Sequence, residues 1–524
     1  MSTETFRAGA VAREAPRSWL SAARRDRDLA RLAAGGTLDV LVVGGGVVGA
    51  GVALDAASRG LSVALLERDD LAAGTSSASS KLVHGGLRYL AAGDVPLAWE
   101  SAAERHILMQ TVAPHLVRSL PFVTPYGPGF VSPRGALATV GTHLADLLRR
   151  AARTPGHRLP APRRVVAATA ASLAPALRRD GLAGAVQHWD GQLYDDARLV
   201  VALARTAALH GAAILTRCAV ESIDAGLVTG VDRRGGGRFE LRARVVINAA
   251  GVWAGRLDPT IRLRPSKGTH LVVRAGTLGL PRAGLNVAVP GEHNRYLIAL
   301  PEPNGTVYVG LTDDPVDGPV PDRCEPAERD VDYLLGVLST ALDRPLSRAD
   351  VVGSYAGMRP LVDDGAHPQA GTADLSRRHV VADNGDRLVT VVGGKLTTYR
   401  RMAADAVDLA VRAYQLPGDP YGSTDRLPLV GAAPTDRLGT VRAPRRLIAR
   451  YGTEAPQVAA LADADPRLLE PIADGVPVLG VELAFGVLAE GAVDADDLLR
   501  RRTRCALVAD WYAAAGPAAR AAFG

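Results

Sequence analysis

Between Leu38 and Arg68 the apolar positions change period twice. "LDVLVV" is a largely apolar run of strand length, and "GGGVVGAG" interrupts it with glycine. "VALDAASRG" then carries apolar and small residues at helical spacing, and "LSVALLER" is a second apolar run. Apolar strands joined by a helix predict parallel strands covered on both faces. The alternation returns three times. "DDARLVVALARTAALHGAAILTR" predicts a helix ending near Gly211 and a strand from Ala213. "RARVVINAAG" predicts a buried strand from Val245 to Asn248. "RLVTVVGGKLTTYRRMAADAVDLAVRAY" predicts a strand from Leu388, a glycine turn and a helix.

Other stretches have a different rhythm. Pro259 to Asp350 contains alternating runs such as "THLVVRA", "NRYLIALP" and "GTVYVGLTDD", separated by Pro, Gly and Asn turns. That pattern predicts an antiparallel sheet. Pro121 to Val186 reads as loop-rich, and the chain after Leu427 as helical with proline breaks. The expected division is a polar, partly helical arm over 1–36 and a discontinuous α/β domain over 37–120, 187–258 and 351–426. A sheet domain over 121–186 and 259–350 is inserted into it, and a helical domain follows over 427–524.

Composition narrows the class. Hydrophobic residues make 47% and charged residues 22% of the 524, as in an ordinary globular protein. The formal net charge of +6 admits anionic membranes and acidic small substrates. No basic run interleaved with aromatics marks a nucleic-acid surface. Three distant cysteines, Cys218, Cys324 and Cys505, provide neither a disulfide framework nor a metal-site spacing, which fits a reducing cytoplasm. Arg24-Arg25 is followed by "DRDLARLAAGG", which is not the apolar stretch of a secretory signal. The longest apolar run, Val40 to Leu54, contains five glycines and is shorter than the roughly 20 residues of a membrane span.

The glycine turn carries the first chemistry. Gly44, Gly46 and Gly49 form G-x-G-x-x-G between a strand and a helix, and the next strand ends on Glu67. Gly44 permits the tight turn, Gly46 admits a pyrophosphate, and Gly49 lets helix and sheet pack closely. Glu67 stands where a carboxylate accepts from a ribose hydroxyl. Strand and turn pieces of the same domain recur near 190, 245 and 390. A tightly held FAD touched by distant segments explains this better than NAD does. The fold class expected is therefore α/β: a Rossmann-like FAD-binding domain, an inserted antiparallel-sheet substrate domain and a C-terminal helical domain.

"GTSSASSKLVHGGLRYL", "DDARLV", "VVINAAGVWA", "KGTHLVV", "SYAGMRPL", "VVGGKLTTYR" and "LLRRRTRCAL" occur in an order that resembles the FAD-dependent glycerol-3-phosphate dehydrogenases, of the D-amino-acid-oxidase-like flavoprotein superfamily. The resemblance spans about residues 37 to 510. It implies that Thr75, Ser76, Ser80, Lys81, Val220, Ala250, Gly251, Gly394, Lys395, Leu396 and Thr397 join the glycines and Glu67 in holding FAD. It further implies that His84, Arg88, Tyr89, His270, Arg359 and Lys395 surround the substrate. Local turn hydrogen bonds are the plainer reading of the serine run, and salt bridges that of the arginines.

The activity implied is oxidation of sn-glycerol 3-phosphate to dihydroxyacetone phosphate by hydride transfer to flavin N5. A base takes the C2 hydroxyl proton, and the N–H groups of Gly394 to Thr397 stabilise charge at flavin N1. His84, His270, Arg359 and Lys395 are the catalytic candidates, with His270 or Arg359 near the hydroxyl; the base is unassigned, and the high pKa of a guanidinium leans it toward His270. Electrons are expected to pass to a membrane quinone, with oxygen and peroxide as the alternative. An amine oxidase or a flavin scaffold without turnover is a more distant reading. Peripheral attachment to the inner face of the cell membrane is expected, with the basic run Arg500 to Arg504 as one contact. No metal is expected, and a homodimer is possible. The chain departs from the family at Glu302, where many relatives carry tryptophan.

Overall fold

The computed structural model describes residues 15–86, 89–90, 93–128, 130, 135–292, 295–363 and 377–524, excepting the side chains of 135–140. Two sheets organise it. In the first, the strands run in the order His379–Asp383, Leu388–Gly393, Arg238–Asn248, Thr37–Val43, Val63–Leu66 and Ala213–Leu215. From Leu388–Gly393 to Ala213–Leu215 every pairing is parallel, with Val40 opposite Val245 on one side and Val63 on the other. Helix Val47–Ser58 packs between helices Asp196–Leu209 and Tyr399–Tyr414. Its residues are small and almost all buried, which is why apolar periodicity is weak there.

The second sheet contains the antiparallel ladder expected for 259–350, including Ser266–Arg274 against Thr306–Gly310. It also takes in strands from outside that interval. Val117–Tyr126 pairs along its whole length with Gly184–Leu193, and Val351–Arg359 pairs with Ser266–Arg274. Gly184–Leu193 therefore straddles the boundary expected at 186/187. The reading of 121–186 as loop-rich is corrected by the end of this long strand, by helix Gly135–Ala151 and by strand Arg163–Val166. Pro121 and Pro125 hid the strand, because proline within an apolar run argues against one.

The N-terminal arm is docked from residue 15 onward. Helix Ala22–Ala33 buries Arg25, whose guanidinium reaches the Thr216 carbonyl at 2.9 Å and Asp232. The helical domain closes the other side. Leu498, Trp511 and Ala515 share one buried cluster with Leu120, Phe122, Tyr308 and Tyr355 of the second sheet. Ion pairs join it to the first domain: Arg502 with Asp70 at 2.8 Å and Arg450 with Asp195 at 3.2 Å. This overturns the membrane role expected for Arg500 to Arg504. Arg501, Arg502 and Arg504 are buried, and Arg500 is paired with Asp496 at 2.8 Å. Acidic partners distant in sequence drew the run inward.

Candidate active site

A cavity of about 1790 Å³ lies between the two sheets, and among the described residues none beyond Met402 lines it. At one end is the glycine turn. Gly44 has φ +111°, and a Cβ there would stand 2.6 Å from the Ala249 carbonyl. A Cβ on Gly49 would stand 1.9 Å from the Gly44 carbonyl, so Gly49 serves helix–turn packing and does not line the cavity. Gly46 precedes helix Val47–Ser58, where the Val47 N–H is held by Ser76 Oγ at 2.9 Å. Glu67 accepts from the Gly45 and Asp69 N–H groups at 2.6 and 2.7 Å. Burial pushes its pKa up to about 6 against those bonds. Val220, Ala250 and Gly251 line the same end, as do Trp253 and Arg68, whose guanidinium lies 5.5 Å from the indole.

A dinucleotide fits these groups. The glycine turn and the helix N-terminus suit a pyrophosphate, the carboxylate at the strand end a ribose hydroxyl, and the indole wall an adenine face. Gly394, Lys395, Leu396 and Thr397 also line the cavity. They enter a short 3₁₀ turn, Leu396–Thr398, that runs into helix Tyr399–Tyr414.

The other end is cationic. Arg359 donates to Ser266 Oγ at 2.9 Å, to Asp313 at 3.1 Å and to the Thr312 carbonyl at 3.2 Å. Arg377, which the sequence reading missed, meets the other Asp313 oxygen at 3.2 Å. It sits in "SRRHVV", a run with no motif to distinguish it from a solvated pair; only the fold brings it beside Arg359. Across the cavity, Lys395 Nζ donates to Ser101 Oγ and lies 4.0 Å from the Tyr89 ring centroid. Burial lowers its pKa to about 7, although Glu100, Asp94 and Asp190 oppose this. His84 stacks on Tyr89 at 6.1 Å, and burial, then Lys395, pull it down to about 4. Arg88 lies outside the described residues.

His270 joins the serine run. Its Nε2 is 2.8 Å from Ser80 Oγ, and its ring stacks on Tyr355 at 4.8 Å and 6°. Burial, then Lys81 and Arg359, hold it near 3, so the imidazole is neutral at physiological pH. Thr75 Oγ1 donates to the Met358 carbonyl at 2.5 Å. Lys81 departs from expectation. It is 1% exposed and off the cavity wall, with Nζ 4.7 Å from both the Tyr308 and Tyr355 rings and 3.7 Å from Asp196. Its left-handed backbone, φ +57°, accompanies a side chain that lies among these groups instead of facing the cavity. The sheet wall adds Phe122, Thr124, His188, Asn286 and Arg295, none with a sequence signature.

Residues 39–400 match the FAD dependent oxidoreductase family, and 422–523 match the C-terminal domain of alpha-glycerophosphate oxidase. The chain belongs to the FAD-dependent glycerol-3-phosphate dehydrogenase family. It is 50% identical over 496 residues to glycerol-3-phosphate dehydrogenase 1 of Mycobacterium tuberculosis, covering 93% of this chain and 95% of that one. It is 34% identical to the mitochondrial glycerol-3-phosphate dehydrogenase of Bos taurus, over 90% of this chain and 68% of the relative. The glycerol-3-phosphate dehydrogenase of Bacillus halodurans, solved with FAD, superposes with a TM-score of 0.70 at 26% identity, over 92% and 89% of the two chains. Membership makes this chain an FAD enzyme with the D-amino-acid-oxidase-like fold.

Proposed function

We propose that this dehydrogenase oxidises sn-glycerol 3-phosphate to dihydroxyacetone phosphate and passes the electrons to a membrane quinone. The supporting observation is the convergence of Arg359 and Arg377 on the cavity that the dinucleotide cradle opens into, with Lys395 lining the same cavity. A phosphate dianion away from water requires charged donors, and a guanidinium pair presents them in a fixed fork. Asp313 aligns the two arginines.

FAD, when bound, supplies the acceptor for the hydride that leaves C2. The hydroxyl proton must go to a base. His270 is too weak a base at a pKa near 3, whereas Lys395 near 7 matches the task. In this reading neutral Lys395 takes the proton, and the Tyr89 face and Ser101 orient its Nζ. His270, neutral and fixed by Ser80, hydrogen-bonds the substrate.

Among the described residues no helix is long and apolar enough to cross a membrane. Peripheral contact with the inner face is supported by two packed helices. Val95–Ile107 exposes Val95 and Trp99, and Gly135–Ala151 exposes Leu144 and Leu147 beside Arg150.

Anaerobic titration with glycerol 3-phosphate should bleach the flavin; an unreduced flavin ends the reading. Turnover is then compared with a soluble quinone analogue and with air, assaying peroxide. Stoichiometric peroxide at the quinone rate, without salt-dependent pelleting on anionic liposomes, makes the enzyme an oxidase.

A further inference from the structure

The serine run has little bulk with which to hold itself in place, so its geometry must come from neighbours. At one end Ser76 holds the Val47 N–H, and at the other Ser80 holds His270. Between them, Ser79 gives its N–H and its hydroxyl to Asp196 at 3.0 and 2.8 Å. The Ser79 carbonyl accepts from Tyr355 Oη at 3.1 Å, and a further anchor comes from the helical domain. Arg504 has a left-handed backbone, φ +65°, that a residue with a side chain seldom adopts. From there its guanidinium crosses into the FAD-binding domain and donates to the Ser77 carbonyl. It lies 3.5 Å from Asp196 and 3.7 Å from Asp195, and Nη1 is tied back to the Arg500 carbonyl at 2.7 Å. A planar donor set that spans a carbonyl and two carboxylates fixes direction as well as charge.

We infer that Arg504 is a positioning residue: the helical domain, which contributes nothing to the cavity wall, sets the serine run and through it the Ser76–Val47 and Ser80–His270 bonds. The neighbouring arginines behave differently. Arg501 and Arg502 donate to Asp70, Asp497 and the Glu490 carbonyl. The effect on catalysis rests on the dehydrogenase reading above, whereas the effect on the flavin cradle does not.

The test uses the holoenzyme and three variants: Arg504→Met, Arg504→Lys and, as control, Arg467→Met. Arg467 belongs to the same domain and pairs with Asp465 at 2.9 Å on its exposed side. FAD dissociation, the visible circular dichroism of bound flavin and the anaerobic bleaching rate with glycerol 3-phosphate are measured. Arg504→Met should weaken FAD binding at least ten-fold, change the flavin dichroism and slow bleaching at least ten-fold. Added guanidinium should restore part of each, and Arg467→Met should leave all three unchanged. A folded Arg504→Met enzyme with wild-type FAD affinity and dichroism overturns the inference. If that variant does not fold, Arg504→Lys decides, since it keeps the charge but not the two-sided reach. A three-fold weaker affinity with altered dichroism is expected, and unchanged values overturn the inference. If the wild-type flavin is not bleached by glycerol 3-phosphate, the dehydrogenase reading falls, while affinity and dichroism still decide the role of Arg504.

Discussion

The Lys395 ammonium nitrogen lies 4.0 Å from the centroid of the Tyr89 ring, within reach of Ser101 Oγ. Asp94, Glu100 and Asp190 face it as anions and Arg377 as a cation, yet burial still lowers its pKa to about 7. A base acts unprotonated, so kcat/KM should rise with pH through an apparent pKa near 7 and fall off below it. A bound phosphate dianion favours the ammonium form, so the limb in kcat should lie at higher pH. Lys395→Arg, charged throughout, should lose the rising limb and about 10²–10³-fold in kcat/KM. A pH profile unchanged in that variant removes Lys395 as base.

Arg359 and Arg377 share Asp313. Arg359→Ala should lower kcat/KM for glycerol 3-phosphate about 10²-fold or more while flavin absorbance per protein stays constant. Arg377→Ala should act chiefly on KM, and unphosphorylated glycerol should be a poor substrate of every form. Steady-state kinetics on both variants check this; near-normal kcat/KM in Arg359→Ala takes that residue out of the pocket.

Gly49→Ala places a methyl where the Gly44 carbonyl already is. Neither atom can move without shifting the turn or the helix, so the variant should be recovered with little FAD and a lower Tm. Flavin content after desalting and a thermal melt measure this, and a yellow, wild-type-stable variant contradicts the packing account.

Glu302 is buried and accepts from Gln192 Nε2 at 2.7 Å. Burial pushes its pKa up to about 8, against Lys81 and Arg118. The folded protein therefore binds this proton more tightly than the unfolded chain does. The stabilisation is complete below the ordinary value of 4.5, declines as pH rises and is gone above about 8. Glu302→Gln removes the titration and keeps an acceptor. Its Tm relative to wild type should be several degrees higher at pH 9 than at pH 5; equal differences at the two pH values refute the burial account.

The elements read from apolar runs survive folding because backbone pairing and burial act locally on them. Strand Leu388–Gly393 begins where "RLVTVV" placed it, and helix Asp196–Leu209 ends two residues before Gly211. The glycine turn was legible for the same reason: its steric demand is written into three positions within six residues. Long recognisable motifs likewise brought His84, His270, Arg359 and Lys395 to the cavity.

What the chain alone determined was the alternation of strands and helices, the dinucleotide turn and the main polar groups of the site. Tertiary structure decided which charges face the cavity and which face each other. Lys81 and Lys395 both lie in family motifs, yet one lies buried between two tyrosines and the other lines the pocket. Arg377 and Arg504 look like surface arginines in sequence. One reaches the cavity beside Asp313, and the other reaches the serine run from a different domain. A charged side chain is assigned its role by the partner that replaces its water, and that partner can lie hundreds of residues away.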